Sequence, residues 1–488
     1  MGPMTRPNLV FLFADQLRYQ SCGYAGDSHA ETPNIDRLAA GSVDFRQAVS
    51  VFPVCSPFRM SLLTGQYPST TGQFNNDLRC MPTPHAIGHV LSSSGYNTGY
   101  IGKWHLWESG DSGFVPPGPY RLGFDDTWAA YNCNHHYHRG SYFSGDHPDP
   151  IPMNGYQTDA QTDLALDFLR TAGAGKDPFA LFVSYEVPHP PPLREQEFPD
   201  LLGALPDDLR PSTLPPGRSD PPNAVDPNVV WGESKRTAEW WETLFARKDE
   251  MKTMYHLLTT RLDRNLGRIL ELLESLDLSA NTILVFTSDH GEMLYGHGRI
   301  QKRIFYEESV RVPFLLRWPE RFGSGTVTDV CLNTPDIMPT LLDLMNIPSP
   351  AEVEGHSLAG AVDPSHTLAT TADGTPAGSF AFLQGMSESS FLAHEEWRGV
   401  RDARYTYAKM RADGRELLFD NHVDPHQLED LSARSEQSDR LEHCRRLLHR
   451  CMTSLGDRFE STEWYRRHWT EGRRIVRSEK RNSVPENA

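Results

Sequence analysis

Short apolar runs alternate with stretches of helical periodicity through roughly the first 350 residues of the chain. Five apolar runs have the length of buried strands, at 9–13, 97–101, 179–185, 282–287 and 313–317. Two longer segments, 159–170 and 249–276, instead repeat apolar residues every three or four positions, which predicts amphipathic helices. Such alternation is typical of a parallel sheet covered by helices. The sequence therefore predicts an α/β fold with a large, mostly parallel sheet sandwiched by helices.

The hydrophobic pattern changes in the last quarter of the chain. Segments 398–409 and 416–420 predict short antiparallel strands, and a charged helix and a polar tail follow them. We therefore expect a large α/β domain at 1–365 and a smaller C-terminal α+β subdomain at 366–488. Segment 190–235 is rich in proline, which predicts an irregular excursion over the surface.

Polar side chains capable of chemistry follow directly after four of the predicted strands. In chain order they are Asp15, Gln16, Lys103, His105, His189, Asp289 and His290. Each alone reads equally well as a turn or capping residue. Because open parallel sheets bind ligands at the carboxyl ends of their strands, the four clusters together predict one composite site.

A further segment combines a cysteine with an arginine at the start of a predicted helix. Pro57 suits the first helical position, Cys55 or Ser56 can cap the helix, and Gly65 can end it. Cys55 would then lie at a helix N-terminus, which favours anions, and Arg59 can reach back to the same place. A buried cysteine that caps a core helix is the alternative reading. The spacing between Cys55 and Arg59 is too short for a tyrosine-phosphatase-type loop.

The pattern Cys55-x-Pro57-x-Arg59, followed by Leu-Thr-Gly at 63–65, resembles the signature of type I sulfatases, members of the alkaline phosphatase superfamily. Further segments resemble the family in order along the chain, at 7–16, 32–36, 102–105, 288–292, 336–340 and 398–401. The resemblance extends over nearly the whole chain and implies an alkaline phosphatase-like fold. Phe58 departs from the family, which usually has serine there. Because the Cys-x-Pro-x-Arg core is present, we still expect Cys55 to be oxidised to formylglycine, whose hydrate is the family's nucleophile.

Carried over residue by residue, the resemblance implies one divalent metal ion. Its ligands would be Asp15, Gln16, Asp289, His290 and the modified Cys55. Sulfatases commonly have a second aspartate in place of Gln16 and often asparagine in place of His290. These departures leave a bound cation less neutralised, and imidazole shifts the preference from calcium towards manganese. The resemblance favours Ca²⁺, with Mn²⁺ as the alternative.

The remaining catalytic roles are also implied by the resemblance. Lys103 and Arg59 would steady the formylglycine hydrate, and His105 would deprotonate its second hydroxyl. His189 and Lys302 would flank the leaving-group oxygen, although the neighbouring Arg303 offers a competing cation. A sulfate ester needs cations around the transferred group and a proton for the departing alkoxide, which these residue types supply.

The amino-acid composition limits which classes of partner and which cellular compartment we expect. The chain has 47 Lys and Arg against 64 Asp and Glu, a net charge of −17, which disfavours nucleic-acid binding. Seven scattered cysteines without CxxC spacing indicate neither a disulfide framework nor a zinc ribbon. No apolar run approaches the roughly 18 residues that a membrane helix needs, and residues 1–8 lack signal-peptide character. We therefore expect a cytoplasmic protein without membrane contact.

These features together predict a sulfatase that hydrolyses a sulfate monoester of a sugar or another small alcohol. Its expected partners are the small anionic substrate and a formylglycine-generating maturation enzyme, and a homo-oligomer is compatible with the sequence. The nearest rival is a phosphonate monoester or phosphodiester hydrolase of the same superfamily. An inactive anion-binding relative is the rival from another class. The histidine-rich segment 131–147 reads as a substrate-facing or a surface loop, and the basic run 466–481 as a solvated tail or an oligomer contact.

Overall fold

The computed structural model describes residues 6–108, 113–134, 136–191, 205, 207–209, 246–322, 325–371, 374–386 and 396–481. The predicted excursion at 190–235 lies outside these residues, except at 190–191, 205 and 207–209. Among the helices that are described, none combines the length and the apolar character that crossing a membrane requires.

Within the described residues, ten strands form one large mixed sheet. In chain order they are β1 (Asn8–Asp15), β2 (Val43–Phe45), β3 (Asn97–Lys103), β4 (Thr127–Tyr131), β5 (Ser141–Ser144), β6 (Ile151–Pro152), β7 (Phe179–Pro188), β8 (Thr282–Ser288), β9 (Phe314–Arg317) and β10 (Thr326–Thr328). Their order across the sheet is β10-β2-β9-β8-β1-β7-β3-β4-β5-β6. The central strands β8, β1, β7, β3 and β4 all run parallel, whereas β9 is antiparallel to β8. Strand β1 therefore lies in the middle, between β7 and β8.

Successive side chains of β1 are buried against two different helix layers. Leu9, Phe11 and Phe13 belong to one apolar core, and Val10 and Leu12 belong to the other. A strand that is covered on both faces needs apolar residues at every position, which explains the continuous apolar run in the sequence.

The helices of the described chain cover both faces of the large sheet and continue into the C-terminal part. They are α1 (Pro33–Ala40), α2 (Cys55–Thr64), α3 (Pro68–Thr71), α4 (Ile87–Ser93), α5 (Gln157–Gly173), α6 (Lys248–Ser275), α7 (Glu307–Val310), α8 (Thr334–Leu344), α9 (Ser438–Leu455) and α10 (Thr462–Trp469). Helices α2, α4 and α8 pack in the layer with Phe11, and α1, α5 and α6 pack in the layer with Val10.

The C-terminal part contains a second, antiparallel sheet of four strands among the described residues. These strands are β11 (Phe380–Gly385), β12 (Trp397–Asp402), β13 (Tyr405–Met410) and β14 (Glu416–Asp420), in that order across the sheet. One face buries Val400 and Tyr407 against α9. The opposite face packs Leu383 and Trp397 against Phe305, which lies in a loop that follows β8. The small sheet is thus attached to the region just beyond the carboxyl ends of the large sheet.

The predicted architecture is confirmed: a large, mostly parallel sheet between helices, with an antiparallel sheet near the C-terminus. The predicted strand 313–317 forms β9 and runs antiparallel to its neighbour β8, as a mostly parallel sheet allows. The domain boundary between 365 and 366 stays a prediction.

The basic run 466–481 was expected to be solvated or to contact another copy, and the solvated reading is wrong. Trp469 and Ile475 are buried beside Phe74, and Arg466 donates to both carboxylate oxygens of Asp77 at 3.0 and 2.8 Å. This end of the chain therefore folds back against the segment that follows α3.

Candidate active site

The polar residues after the four central strands meet at one edge of the large sheet. Asp15 ends β1, Lys103 ends β3, His189 follows β7, and Asp289 follows β8. All four strands are parallel, so their carboxyl ends point the same way, and the four side chains are at least nine-tenths buried. The structure thus brings the sequence-predicted clusters together in one place.

Cys55 enters this place from helix α2, which begins at that residue and ends at Gly65 in the left-handed conformation. Val54, before the helix, has no side chain that could cap it, and neither predicted cap forms. Instead, the Ser56 amide donates to Asn76 Oδ1 at 3.0 Å, so the cap comes from a separate loop. The Ser56 hydroxyl donates to the carbonyl of His105 at 2.5 Å, which joins the helix start to the end of β3.

Four side chains converge in a way that fits a divalent cation. Ligand atoms of Asp15, Cys55, Asp289 and His290 all lie within 4.8 Å of one another. His290 Nδ1 lies 2.9 Å from the Gly291 carbonyl, to which it donates, so Nε2 keeps its lone pair for the cluster. Nε2 lies 3.4 Å from Asp289 Oδ1 and 3.3 Å from Cys55 Sγ. Two carboxylates and one imidazole are a donor set for a hard or borderline divalent cation, and Sγ marks where oxygens of a modified Cys55 would lie.

Two buried cations contact the two carboxylates. Lys103 Nζ donates to Asp15 Oδ2 at 2.6 Å, and Arg59 Nη2 donates to Asp289 Oδ2 at 3.1 Å. The guanidinium of Arg59 is fixed further by the Lys103 carbonyl at 2.6 Å and by Ser184 Oγ at 2.7 Å. Ser184 lies inside β7 without a distinguishing pattern in the sequence, and sequence reasoning missed it.

The electrostatic environment differs between the two carboxylates. Burial alone would raise the pKa of Asp15, but Lys103 and other nearby cations hold it well below its usual value. Burial and the charge of Asp15 raise the pKa of Asp289. Burial and Asp15 also oppose ionisation of the Cys55 thiol, yet Lys302 and Lys103 bring its pKa well below the ordinary value. Position 55 is therefore a place where a negative charge is stabilised.

Lys302 reaches the same group of side chains from the loop that follows β8. Its Nζ lies 3.2 Å from His189 Nε2 and 3.7 Å from Cys55 Sγ, and it donates to Gln16 Oε1. His189 Nδ1 faces the Pro190 carbonyl at 2.6 Å, so this nitrogen carries the proton and Nε2 accepts from Lys302. The sequence left Lys302 and Arg303 as competitors, and it is the Lys302 ammonium that lies beside His189.

Hydrogen bonds hold both the backbone and the side chain of Gln16, and the Tyr255 hydroxyl donates to its carbonyl at 2.6 Å. Its backbone has a φ of 70°, and its amide N–H donates to Asp289 Oδ1 at 3.0 Å. Its side chain accepts from Lys302 through Oε1 and donates to Glu292 through Nε2. Glu292 was not singled out from the sequence, where its one signal was membership of the segment 288–292.

His105 lies between position 55 and the segment that follows β4. Its N–H donates to the carbonyl of Asn132 at 2.8 Å, and its side chain lies close enough to Cys55 and Cys133 for both to affect its pKa. Burial lowers the pKa of His105, but Cys133 raises it, and the net shift is upwards. Of the histidine-rich segment, Cys133 thus reaches the site, whereas His138 lies against the Leu205 carbonyl at 3.1 Å.

The chain is similar to known proteins over most of its length. The family model Sulfatase matches residues 7–347, and the model N-sulphoglucosamine sulphohydrolase, C-terminal, matches residues 295–454. The chain is 34% identical to an ulvan-active sulfatase of Formosa agariphila, over 94% of this chain and 84% of that protein. It is 26% identical to an N-acetylglucosamine-6-O-sulfatase of Bacteroides thetaiotaomicron, over 91% of this chain and 86% of that protein.

Solved structures show the same fold. A putative sulfatase, yidJ, from Bacteroides fragilis superposes with a TM-score of 0.76 at 27% identity, covering 94% of this chain and 98% of that one. A phosphonate monoester hydrolase of Agrobacterium radiobacter superposes with a TM-score of 0.67 at 20% identity, covering 93% and 96%. The second likeness concerns the fold alone.

Proposed function

The chain belongs to the sulfatase family and is a sulfuric ester hydrolase, and from this premise we propose that it removes sulfate from a sugar sulfate by means of a formylglycine at position 55 and one divalent metal ion. The observation that carries the proposal is the convergence of Asp15, Cys55, Asp289 and His290. The cations of Lys103, Arg59 and Lys302 surround the same point.

The metal ion would be held by Asp15, Gln16, Asp289, His290 and the modified side chain at position 55. When bound, it would draw negative charge from the sulfuryl oxygens, while the converted Cys55 would supply a hydroxyl nucleophile with a second ionisable hydroxyl. We propose Ca²⁺ from the family resemblance, with Mn²⁺ as the alternative that the imidazole of His290 favours.

The side chains around position 55 divide into those that bind and one that moves a proton. Lys103 and Arg59 are fixed by the carboxylates of Asp15 and Asp289, so their charges stay in place while the sulfate group is transferred. His105 contacts the side chain at position 55 and is placed to take a proton from it. Because these cations are already oriented by buried partners, the site needs little rearrangement when an anion binds.

His189 and Lys302 form the leaving-group side of the site. Their nitrogens are 3.2 Å apart, with the Lys302 ammonium donating to the neutral imidazole. The pair therefore shares a proton that can be passed to an alkoxide as its bond to sulfur breaks. This help matters most for sugar alcohols, which are poor leaving groups.

Sugar sulfates are favoured as substrates because the similar proteins include an N-acetylglucosamine-6-O-sulfatase and an ulvan-active sulfatase. Phosphonate monoesters remain the rival substrate class, supported by likeness in fold alone. A maturation enzyme that converts Cys55, a cytoplasmic location and a homo-oligomer stay predictions.

The test compares four substrate classes on protein produced together with a formylglycine-generating enzyme. We expect kcat/KM for 6-sulfated N-acetylglucosamine and an aryl sulfate to exceed the values for a phosphonate monoester and a phosphodiester. Cys55→Ala serves as the control for background hydrolysis. Phosphonate turnover that exceeds sulfate turnover would overturn the proposed substrate class.

The proposed cofactors are tested on the same protein. Mass spectrometry of the peptide that contains Cys55 should show formylglycine in active samples, and a chelator should remove activity that Ca²⁺ or Mn²⁺ restores. Full activity with an unmodified thiol, or in thoroughly metal-free protein, would contradict the mechanism.

A further inference from the structure

Glu292 lies immediately behind the site and makes no contact with the proposed reacting atoms. It is 2% exposed, and its carboxylate accepts three N–H donors. Oε1 accepts from the backbone of Leu294 at 3.0 Å and of Gln301 at 2.6 Å, and Oε2 accepts from Gln16 Nε2. One buried carboxylate thus joins Gln16 to the loop that carries Lys302.

The two neighbours of the Gln16 side chain allow its amide one orientation. An ionised carboxylate only accepts hydrogen bonds, and an ammonium only donates them. Glu292 therefore requires the NH₂ end of the amide, and Lys302 requires the oxygen end. Rotating the amide by half a turn would set oxygen against carboxylate and NH₂ against ammonium. Oε1 of Gln16 is consequently held towards Lys302, whose Nζ also lies 3.7 Å from Cys55 Sγ.

Several residues of the loop between Glu292 and Lys302 have an unfavourable backbone conformation. Leu294, Tyr295 and Gln301 have φ values of 43°, 70° and 69°, in the left-handed region that residues with a Cβ rarely adopt. Such conformations persist where surrounding contacts impose them. The bonds from Leu294 and Gln301 to the same oxygen of Glu292 close both ends of the loop.

We propose that Glu292 is a positioning residue that sets both the amide orientation of Gln16 and the reach of Lys302. The inference rests on the proposed function, because that function gives Gln16 and Lys302 their roles. It also accounts for Gln16 where sulfatases commonly have aspartate. An aspartate could not donate to Glu292, so the glutamine and the buried glutamate form a matched pair.

The test begins with Glu292→Gln, which conserves size but turns part of the acceptor into a donor facing Gln16 Nε2. We expect the affinity for Ca²⁺ or Mn²⁺ alone, measured by titration calorimetry, to fall about 10- to 100-fold. We also expect kcat for sugar sulfates to fall more than kcat for nitrophenyl sulfate, because Lys302 is displaced from the leaving group.

The decisive variant is the exchange Gln16→Glu/Glu292→Gln. It swaps donor and acceptor between the two positions and keeps an acceptor oxygen facing Lys302. We expect it to recover most of the metal affinity that Glu292→Gln loses. Gln16→Glu alone sets two buried carboxylates against each other and should bind no better than Glu292→Gln.

Glu308→Gln is the matched control, since Glu308 is also a buried glutamate beside this loop but does not bond to Gln16. It should leave metal affinity within about 2-fold, below the change expected for a residue that orients a metal ligand.

Unchanged metal affinity in Glu292→Gln, or a double variant no better than Glu292→Gln, would overturn the proposal. If Glu292→Gln does not fold, a folded double variant with near wild-type metal affinity supports the proposal, and an unfolded one overturns it. Because metal affinity is measured without substrate, the outcome does not depend on which ester the enzyme hydrolyses.

Discussion

Two sets of buried charged side chains in this molecule contain the same residue types. They differ in how the positive and negative charges are paired. In the C-terminal part, Arg398 binds both carboxylate oxygens of Asp457 at 2.5 and 2.9 Å, and Gln384 donates to the same carboxylate. Although burial opposes both charges, Asp457 has a lowered pKa and Arg398 a raised one, so each stabilises the other. Each charge of the Arg398–Asp457 pair is therefore balanced by its partner.

In the active site, Lys103, Arg59 and Lys302 surround the carboxylates of Asp15 and Asp289, so the charges are not paired one to one. Asp15 has a lowered pKa because cations gather around it, whereas burial and the charge of Asp15 raise the pKa of Asp289. The carboxylates of Asp15 and Asp289 lie in one cluster, Lys103 donates to Asp15, and the Lys302 ammonium lies 3.7 Å from the Cys55 thiol. Buried charge that is paired stabilises the fold, and buried charge that is left partly unpaired is available for a metal ion and a sulfate group.

The largest effect is expected from Asp289→Asn. This change conserves shape but removes a charged ligand, so we expect kcat/KM to fall by at least about 10³-fold. The melting temperature of metal-free protein should stay the same or rise, because a carboxylate with a raised pKa is removed. Activity assays and metal-free thermal melts measure the two quantities. A large loss of metal-free stability would place Asp289 with the structural pairs instead.

Asp457→Ala should show the opposite behaviour. Removing one partner leaves the Arg398 guanidinium buried and uncompensated, which should cost about 3–5 kcal/mol in the free energy of unfolding. The specific activity of the folded fraction should be unchanged at low temperature. The double variant Arg398→Met/Asp457→Leu is the control and should recover most of the stability. If both variants are equally unstable, packing rather than charge explains the effect.

The two histidines of the proposed active site are expected to differ in how their effect depends on the leaving group. His189→Ala should slow hydrolysis of sugar sulfates by about 10²-fold or more, and should slow nitrophenyl sulfate far less, because a good leaving group needs no proton. His105→Ala should slow all sulfates similarly, since its proposed role is shared by every substrate. The slope of log kcat against leaving-group pKa measures the difference. Equal slopes in both variants would show that this division of roles is wrong.

The smallest effect is expected at Glu308, a buried carboxyl group that belongs to neither of the two sets. Burial raises its pKa to about 7 from an ordinary value of 4.5, so the folded protein keeps a proton that the unfolded chain releases. Stability should therefore fall as the pH rises from about 4.5 to about 7, by about 3 kcal/mol. Glu308→Gln should flatten this part of the profile, which urea unfolding at several pH values can measure. An unchanged profile would mean that Glu308 is ionised when folded.

The parts of the fold that were predictable from sequence are those with local signals. Strands β1 and β8 are buried on both faces, so their apolar runs are continuous and the polar residues that end them stand out. Short strands such as β2 and β10 have three residues each and no apolar run, and they escaped prediction. The direction of β9 depends on the path of the chain before it, which the sequence pattern does not record.

The site was predictable to the same extent and for the same reason. Asp15, Lys103, His189 and Asp289 follow strands directly, so the parallel sheet brings them together. Their supporting contacts are between distant segments: Ser184 holds Arg59, Asn76 caps α2, and Glu292 holds Gln16. None of these pairings has a local pattern, because each is created only when the two segments meet.

The burial of Cys55 has a consequence for how active enzyme is made. The cysteine is 1% exposed, and all ten residues of α2 are buried. A maturation enzyme cannot bind this buried segment in the folded protein. The proposed oxidation of the thiol must therefore come before folding. Oxidation of the thiol and folding then compete, and each chain that folds first keeps an unmodified thiol and stays inactive. The yield of active enzyme is set by the ratio of two rates, and waiting longer after folding does not increase it.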